Sequence, residues 1–498
     1  MPAAQAVVEC GMVERLVFRD VMVLDGSGAA AFPADVSVVG DSIERVGEAP
    51  AGSSEIDGRG RYLSPGFVDV HSHDDAAVLS MPELTFKLAQ GCTSVVVGNC
   101  GFGLAPLTGA SEPPGNAGLF GAARRRFPSM AGYLSAVRDA QPAVNVAALV
   151  GHHNLLASVM AQSELSPTMS QRAELRDLLS QALDAGAVGL STGLIYRPGK
   201  LAHTDEIAEL ARLCGERGLL YTTHLRSESD RLLEAVDEAI AIGRIAGCRV
   251  QISHHKAAGQ RNWGKTLETH ERLAQANASG VDVAFDVYPY TAGSGPLIEY
   301  FNPQAPDLEL LNVTRIASCP PFPQLEARDL LDIARDWGLD VPGAVARILA
   351  GPGGDRTLCI TFTMGDEDLE RNLTHPRSMI GSDGVADLTG KPHPRLFGTF
   401  PRVLARYVRE RALLALPEAV HKMTRMPCER FGLVGRGSVK EGMKADLVLF
   451  DAENVADVAS YDEPQQLPRG IECVVVNGAL AYRSGVVSRA GRVLLANS

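Results

Sequence analysis

Between residues 64 and 430 the chain repeats one pattern: a short, mostly apolar run, then a stretch of helical length. The runs are Phe67–Val70, Thr93–Val97, Asn145–Val150, Ala187–Leu190, Leu219–Thr223, Arg249–Ser253, Val281–Val287 and Ser378–Ile380. Runs this short and this apolar read as strands. Intervening pieces such as Arg172–Ala185, Thr204–Arg217 and Ser227–Ala246 have helical length and apolar spacing. Strands alternating with helices predict a parallel sheet. Eight repeats predict an α/β fold closed into a (β/α)8 barrel, the TIM barrel. The last strand follows a long interval, about residues 291–377, with Pro- and Gly-rich patches at Pro320–Pro323 and Gly351–Gly354. It reads as an insertion with some helix, in position to cover the barrel mouth.

Both ends of the chain differ from this repeat. Residues 14–63 carry short runs such as Leu16-Val17-Phe18 and Val36-Ser37-Val38-Val39, punctuated by Gly26, Gly28, Gly40 and Gly47. The other end carries Ala445–Asp451 and Cys473–Val476, followed by Asn477-Gly478, a good hairpin turn. Neither end is long enough to bury a core alone. The expectation is one small β-sandwich domain built from both termini. The domains are then 1–63 and 431–498 for the sandwich and 64–430 for the catalytic barrel.

Composition narrows the partners. A net charge of -12 repels phosphate backbones, so nucleic acid is not expected. Nine cysteines without framework spacing point to a reducing compartment. Met1 to Arg15 lacks the basic start and apolar run of a signal peptide, and no run of 18 apolar residues suggests a membrane span. The expectation is a cytoplasmic protein, a monomer or small homo-oligomer, acting on a small molecule without membrane contact.

The chemistry is concentrated just after the strands. His71-Ser72-His73 follows the first, and in an extended segment residues two apart project the same way, so both imidazoles can meet one metal ion. Cys100 follows the second strand, His224 the fifth, His254 (with His255 beside it) the sixth and Asp383 the eighth. In a barrel these strand ends converge on one face. Imidazole, thiolate and carboxylate together suit zinc. Of the six, Cys100 has the plainest alternative, since a free cysteine is often a small buried hydrophobe.

Several stretches resemble the amidohydrolase superfamily, and within it the D-aminoacylase (N-acyl-D-amino-acid deacylase) branch. They are PGFVDVHSHDD at 65–75, GCTSVVVGNCG at 91–101, GLSTGLIY at 189–196, ISHHK at 252–256, DVYPY at 286–290, IGSDG at 380–384, PHPR at 392–395 and GMKADL at 442–447. The first histidine pair is similar across the superfamily, whereas the GNCG, GLSTGLIY and SHHK stretches are similar to this branch. Many superfamily members carry a bridging carboxylated lysine after strand four; here Gly189-Leu190-Ser191 offers none. The resemblance implies that Cys100 bridges instead, with a tight Zn2+ on Cys100, His224 and His254 and a weaker second site on His71, His73 and Asp383. It also implies zinc-dependent hydrolysis of N-acyl-D-amino acids to D-amino acid and carboxylate. One departure stands out: Leu156 occupies a position where the branch often has arginine.

In such a reaction zinc lowers the pKa of water from about 15.7 to about 7. Asp383 would take the proton and pass it to the leaving amine. The substrate carboxylate needs donors, and the resemblance implies Lys256, Tyr196, Tyr288, Ser294 and Arg395. Arg395 comes first, because a guanidinium can hold a carboxylate with two bonds. From Gly295 to Thr314 there is no Lys or Arg but there are Glu299, Asp307 and Glu309. If the insertion lines the pocket, a neutral, hydrophobic D-side chain is expected, while Glu299 leaves a basic one open. The alternatives are a superfamily hydrolase of cyclic amides, or a barrel that binds metal without catalysis.

Overall fold

The computed structural model describes residues 14–109, 111–121, 124–161 and 164–496. The reading of the chain start as no signal peptide rests mostly on residues 1–13, which lie outside the described residues. Among the described residues no helix is long and apolar enough to cross a membrane. Eight described cysteines are all free and buried.

The central unit is a parallel barrel. Its strands are β1 (Phe67–Asp69), β2 (Cys92–Val97), β3 (Asn145–Ala148, resumed at Val150–Gly151), β4 (Gly189–Gly193), β5 (Leu220–His224), β6 (Arg249–Ile252), β7 (Val283–Val287) and β8 (Ser378–Ile380). Each pairs in parallel with the next in chain order. The first and last strands meet through their extensions, where Ser72–His73 pairs in parallel with Gly384–Val385. The strands are buried along nearly their whole length, which is why they read as continuous apolar runs rather than alternating ones. β4 runs three residues further than its apolar stretch, taking in Ser191, Thr192 and Gly193. These buried polar groups are satisfied inside the barrel: Thr192 Oγ1 lies 3.0 Å from Tyr221 Oη and 2.9 Å from Thr223 Oγ1.

The helices follow ordinary end signals. Met169–Asp184 opens with a capping box, Thr168 accepting from the Gln171 backbone while the Gln171 side chain accepts in return. Leu232–Ala246 ends on Gly247 in the left-handed region.

The two ends of the chain share one hydrogen-bonded nine-stranded sheet. Leu447–Phe450 pairs on one side with Tyr62–Pro65 and on the other with Ile471–Val476, joining strands nearly 400 residues apart in sequence. Alternation sorts the residues by face. Leu447, Leu449, Cys473 and Val475 join a core internal to this sheet with Phe18, Val36 and Leu63. Val448, Phe450, Val474 and Val476 face the large core shared with the barrel. Asn477 and Gly478 both have positive φ, 48° and 82°, and make the tight turn between Ile471–Val476 and Ala479–Arg483.

The insertion before β8 is more structured than the sequence suggests. It has helices at Leu308–Asn312, Leu330–Trp337 and Val341–Leu349, and also a three-stranded antiparallel sheet of Gly293–Pro296, Leu358–Thr361 and Thr314–Ser318. It has its own apolar core, including Leu297, Ile316, Ile333, Val345 and Cys359.

Candidate metal centre and substrate pocket

Each polar side chain of the site sits on a strand end or the turn after it. The extension of β1 presents His71 and His73 side by side, ring centroids 5.6 Å apart. The turn after β2 begins at Gly98, whose φ of +80° no branched residue adopts easily. A Cβ there would lie 2.3 Å from the Leu149 carbonyl oxygen. The turn is held from β4 by Ser191, whose hydroxyl donates to the Gly98 carbonyl and accepts from the Gly101 N–H. Cys100 therefore points inward with φ 56°; His254 and Asp383 also adopt positive φ, 36° and 49°. Non-glycine residues in this region are strained, and such strain gathers at functional sites.

The six candidate ligands come together. The Cys100 thiol lies 3.2 Å from His71 Nε2 and 3.4 Å from His254 Nε2. Asp383 Oδ1 lies 3.4 Å from His71 Nε2 and 3.3 Å from His73 Nε2. Three overlapping sets have all their donor atoms within 4.8 Å of one another: His71, His73 and Cys100; Cys100, His224 and His254; and His71, His254 and Asp383. His224 Nδ1 and His73 Nδ1 are buried without a hydrogen-bond partner, and His224 Nε2 has only the Glu228 carboxylate, at 3.4 Å. Unpaired buried imidazole costs free energy unless something else binds it. A soft, imidazole-rich cluster with orphaned nitrogens fits zinc.

The electrostatics agree. Burial disfavours a charged thiol, yet His71, His254 and His224 pull Cys100 well below its ordinary value, toward the thiolate that binds metal. Burial would also raise the Asp383 carboxyl, but Arg395, His254 and His71 hold it well below the usual range, so it stays ionised. Arg395 Nη2 takes Asp383 Oδ2 at 2.9 Å, which leaves Oδ1 for the histidines.

Residues outside the predicted set hold these groups in place. Asp286, at the end of β7, lies 3.0 Å from His71 Nδ1 and accepts from the His254 N–H at 2.8 Å. With Nε2 turned to the thiol, Nδ1 carries the proton and the Asp286 carboxylate receives it. Lys87, fully buried, reaches Asp69 at 2.6 Å, Asp74 at 3.1 Å and Ser382 Oγ at 3.0 Å. Asp69 accepts from the Ser382 N–H at 2.8 Å, so this network sets the loop carrying Asp383 against β1. Glu228 approaches both His224 and His254. The sequence signal for Asp69 and Asp286 was present in the two motifs that contain them. Lys87 and Glu228 had none, because neither is a polar residue at a strand end. His255, beside His254, points away: its Nε2 meets Thr269 Oγ1 at 2.8 Å, and burial pushes it down to about 3.

A cavity of about 360 Å3 opens beside the cluster. Tyr196, Lys256, Tyr288 and Ser294 line it with His73, Cys100, His224, His254 and Asp383. His71 and Arg395 lie just behind that lining. Arg395 stacks over the Tyr288 ring at 4.5 Å, and its Nε and Nη1 have no hydrogen-bond partner although buried. The insertion forms the outer wall, with Pro296, Leu310, Val313 and Phe362. Glu299 is not in the lining. It is half-buried, its Oε1 has no hydrogen-bond partner, and burial pushes its carboxyl up to about 7. The acids at the mouth are Asp307 and Glu309 instead. Leu156, at the position of departure, packs into the apolar core.

Comparison with known proteins gives one answer. The amidohydrolase family profile matches residues 54–344 and 369–482. An N-acyl-D-glutamate deacylase of Alcaligenes xylosoxydans xylosoxydans is 42% identical over 487 residues, covering 96% of each chain. A D-aminoacylase of the same organism is 41% identical over 475 residues, covering 95% of each. The crystal structure of N-acyl-D-glutamate deacylase from Bordetella bronchiseptica, complexed with zinc and a phosphonate inhibitor that mimics the tetrahedral intermediate, superposes with a TM-score of 0.91 at 39% identity. It covers 97% of this chain and 100% of its own. A relative named for D-glutamate substrates and one named for D-amino acids in general are thus about equally similar, so overall identity does not choose a side chain.

Proposed function

Because this chain belongs to the amidohydrolase family, in its N-acyl-D-amino-acid deacylase branch, we propose that Cys100, His224 and His254 hold its tight zinc and that Asp383 carries the proton in amide hydrolysis. The protein is a zinc-dependent hydrolase of N-acyl-D-amino acids. The observation that carries the residue assignment is the gathering of six donors, from five strand ends, within reach of one another beside a cavity.

Zinc bound there supplies an acidified water, its pKa lowered from about 15.7 to about 7, and polarises the amide carbonyl. The chain's own groups do the rest. Asp383 is ionised, with Oδ2 held by Arg395 and Oδ1 facing the histidine pair. Oδ1 is the oxygen placed to accept the proton of the attacking water. It returns that proton to the amine nitrogen as the C–N bond breaks. His71, His73 and Asp383, with Cys100 shared, form the weaker second metal set.

The substrate carboxylate falls to Lys256, Arg395, Tyr288, Tyr196 and Ser294. Support comes from the two unpartnered guanidinium nitrogens of buried Arg395 and from the Lys256 ammonium on the pocket wall. A buried donor without a partner favours a ligand that completes its bonds.

For the substrate's own side chain we infer a neutral, hydrophobic preference such as leucine, methionine or phenylalanine. Leu119, Ile195, Leu310, Val313 and Phe362 supply apolar wall. Besides Lys256, the lining cation is Arg261, and it is already engaged by Asp230 at 2.6 Å and by Glu309. An acidic side chain would find no free counter-charge there.

A kinetic screen of the zinc-loaded enzyme tests the reading. N-acetyl-D-leucine, D-methionine and D-phenylalanine should be turned over well, the D-glutamate derivative poorly, and the L-enantiomers and a hydantoin not at all. Preference for D-glutamate would overturn the side-chain inference. Hydantoin cleavage without deacylation would overturn the residue assignment.

A further inference from the structure

Glu228 is a buried pocket carboxylate, beside the candidate zinc ligands, to which neither zinc binding nor proton transfer has been assigned. It follows His224 by four residues, in the loop between β5 and the helix Leu232–Ala246. Its backbone carbonyl accepts from the Ala258 N–H at 2.7 Å, which ties this loop to the one after β6. Its side chain is only 12% exposed. Oε1 lies 2.9 Å from His254 Nδ1 and 2.5 Å from Lys256 Nζ, and Oε2 lies 3.4 Å from His224 Nε2.

The hydrogens can be assigned from this geometry. His254 turns Nε2 to the Cys100 thiol at 3.4 Å, so its proton belongs on Nδ1. Lys256 Nζ sits 2.8 Å from the same Nδ1, and an ammonium cannot donate to a nitrogen that already carries a proton. Both donors therefore need an acceptor between them, and Glu228 Oε1 is within reach of both. Remove it, and His254 loses the bond that fixes its tautomer while Lys256 is left against an N–H of like polarity.

We propose that Glu228 is a positioning residue that links the metal centre to substrate recognition. It holds His254 with Nε2 free to bind zinc, and it aims the Lys256 ammonium into the cavity where the substrate carboxylate docks. One side chain thus serves two partners that sequence places at different steps. This inference rests on the zinc and carboxylate assignments above and adds a residue to neither. Groups bonded to the far nitrogen of a ligating histidine commonly change metal affinity by about 10- to 100-fold.

The test uses the purified zinc enzyme with Glu228→Ala and Glu228→Gln. Zinc loss to a chelator is followed by metal analysis, and KM is measured for N-acetyl-D-leucine and for its carboxamide. Glu228→Ala should give up zinc about 10- to 100-fold more readily. Its KM should rise for the acid and much less for the amide. Glu228→Gln keeps an accepting oxygen, so zinc retention should return toward wild type. If Glu228→Ala does not fold, retention of zinc by Glu228→Gln together with loss of zinc by Glu228→Leu decides the same point. Variants that hold zinc and bind acid and amide as wild type does would overturn the proposal. So would a Gln variant that loses zinc as fully as Ala, with acid and amide equally affected. Wild type is the control: if it holds no chelator-resistant zinc, the metal assignment itself fails and this inference fails with it. Normal wild type beside unaffected variants overturns the Glu228 role alone.

Discussion

Asp383 divides its two oxygens between opposite kinds of neighbour. Arg395 holds Oδ2, and the histidine pair faces Oδ1. Replacing Asp383 by Ala should lower kcat by about 10^2- to 10^4-fold. Metal analysis should still find the tight zinc, because Asp383 is outside the Cys100, His224, His254 set. Normal turnover would remove it as proton carrier. Arg395→Ala should lower kcat/KM on the order of 10- to 100-fold for a free carboxylate, the loss of charge-assisted hydrogen bonds. The corresponding amide should suffer less; an equal loss on both would mean that Arg395 acts only by holding Asp383. At this scale the candidate ligands were legible in the sequence because each follows a strand. Glu228 and Lys87 were not. Glu228 reaches His254 across 26 residues of chain, and Lys87 reaches Ser382 across 295.

Elements reach the site through buried polar straps. Lys87, on the short helix Thr85–Leu88, joins β1 to the loop after β8 by way of Asp69, Asp74 and Ser382. Removing one partner of a buried charge network leaves uncompensated charge, at a cost of about 3–5 kcal/mol. Lys87→Met should therefore lower the free energy of unfolding by that order, read as a lower denaturant midpoint at unchanged slope, and should depress kcat through the displaced Asp383 loop. An unchanged midpoint would argue against the network. Helix and barrel strands were foreseeable because their signals are local: caps, apolar period and run length. The insertion's antiparallel sheet was not. Its strand Leu358–Thr361 pairs with Gly293–Pro296, some 65 residues earlier, and short strands with non-local partners leave little local pattern.

For the whole molecule, zinc binding and folding are linked, since an ion that binds only the folded state stabilises it. At 100 times its dissociation constant the gain is about 2.7 kcal/mol. Calorimetry should find a higher unfolding midpoint with zinc than after chelation, and Cys100→Ala should abolish most of that difference. An undiminished zinc effect in Cys100→Ala would place the tight ion elsewhere. The nine-stranded sheet contributes to the same assembly, because Val448 and Val474 pack against the barrel while Leu447 and Val475 pack among themselves. Sequence alone determined the barrel, the pairing of the two chain ends, the candidate ligand set and the deacylase branch, since each rests on periodicity, on turn residues or on contiguous motifs. Tertiary structure alone decided that Glu299 is absent from the pocket lining while Asp307 and Glu309 belong to it, that Arg261 is already paired, and that Glu228 sits between His254 and Lys256. The physical reason is that a side chain's direction and partners depend on how distant loops pack, and one residue's rotation moves a charge from the pocket to the protein interior.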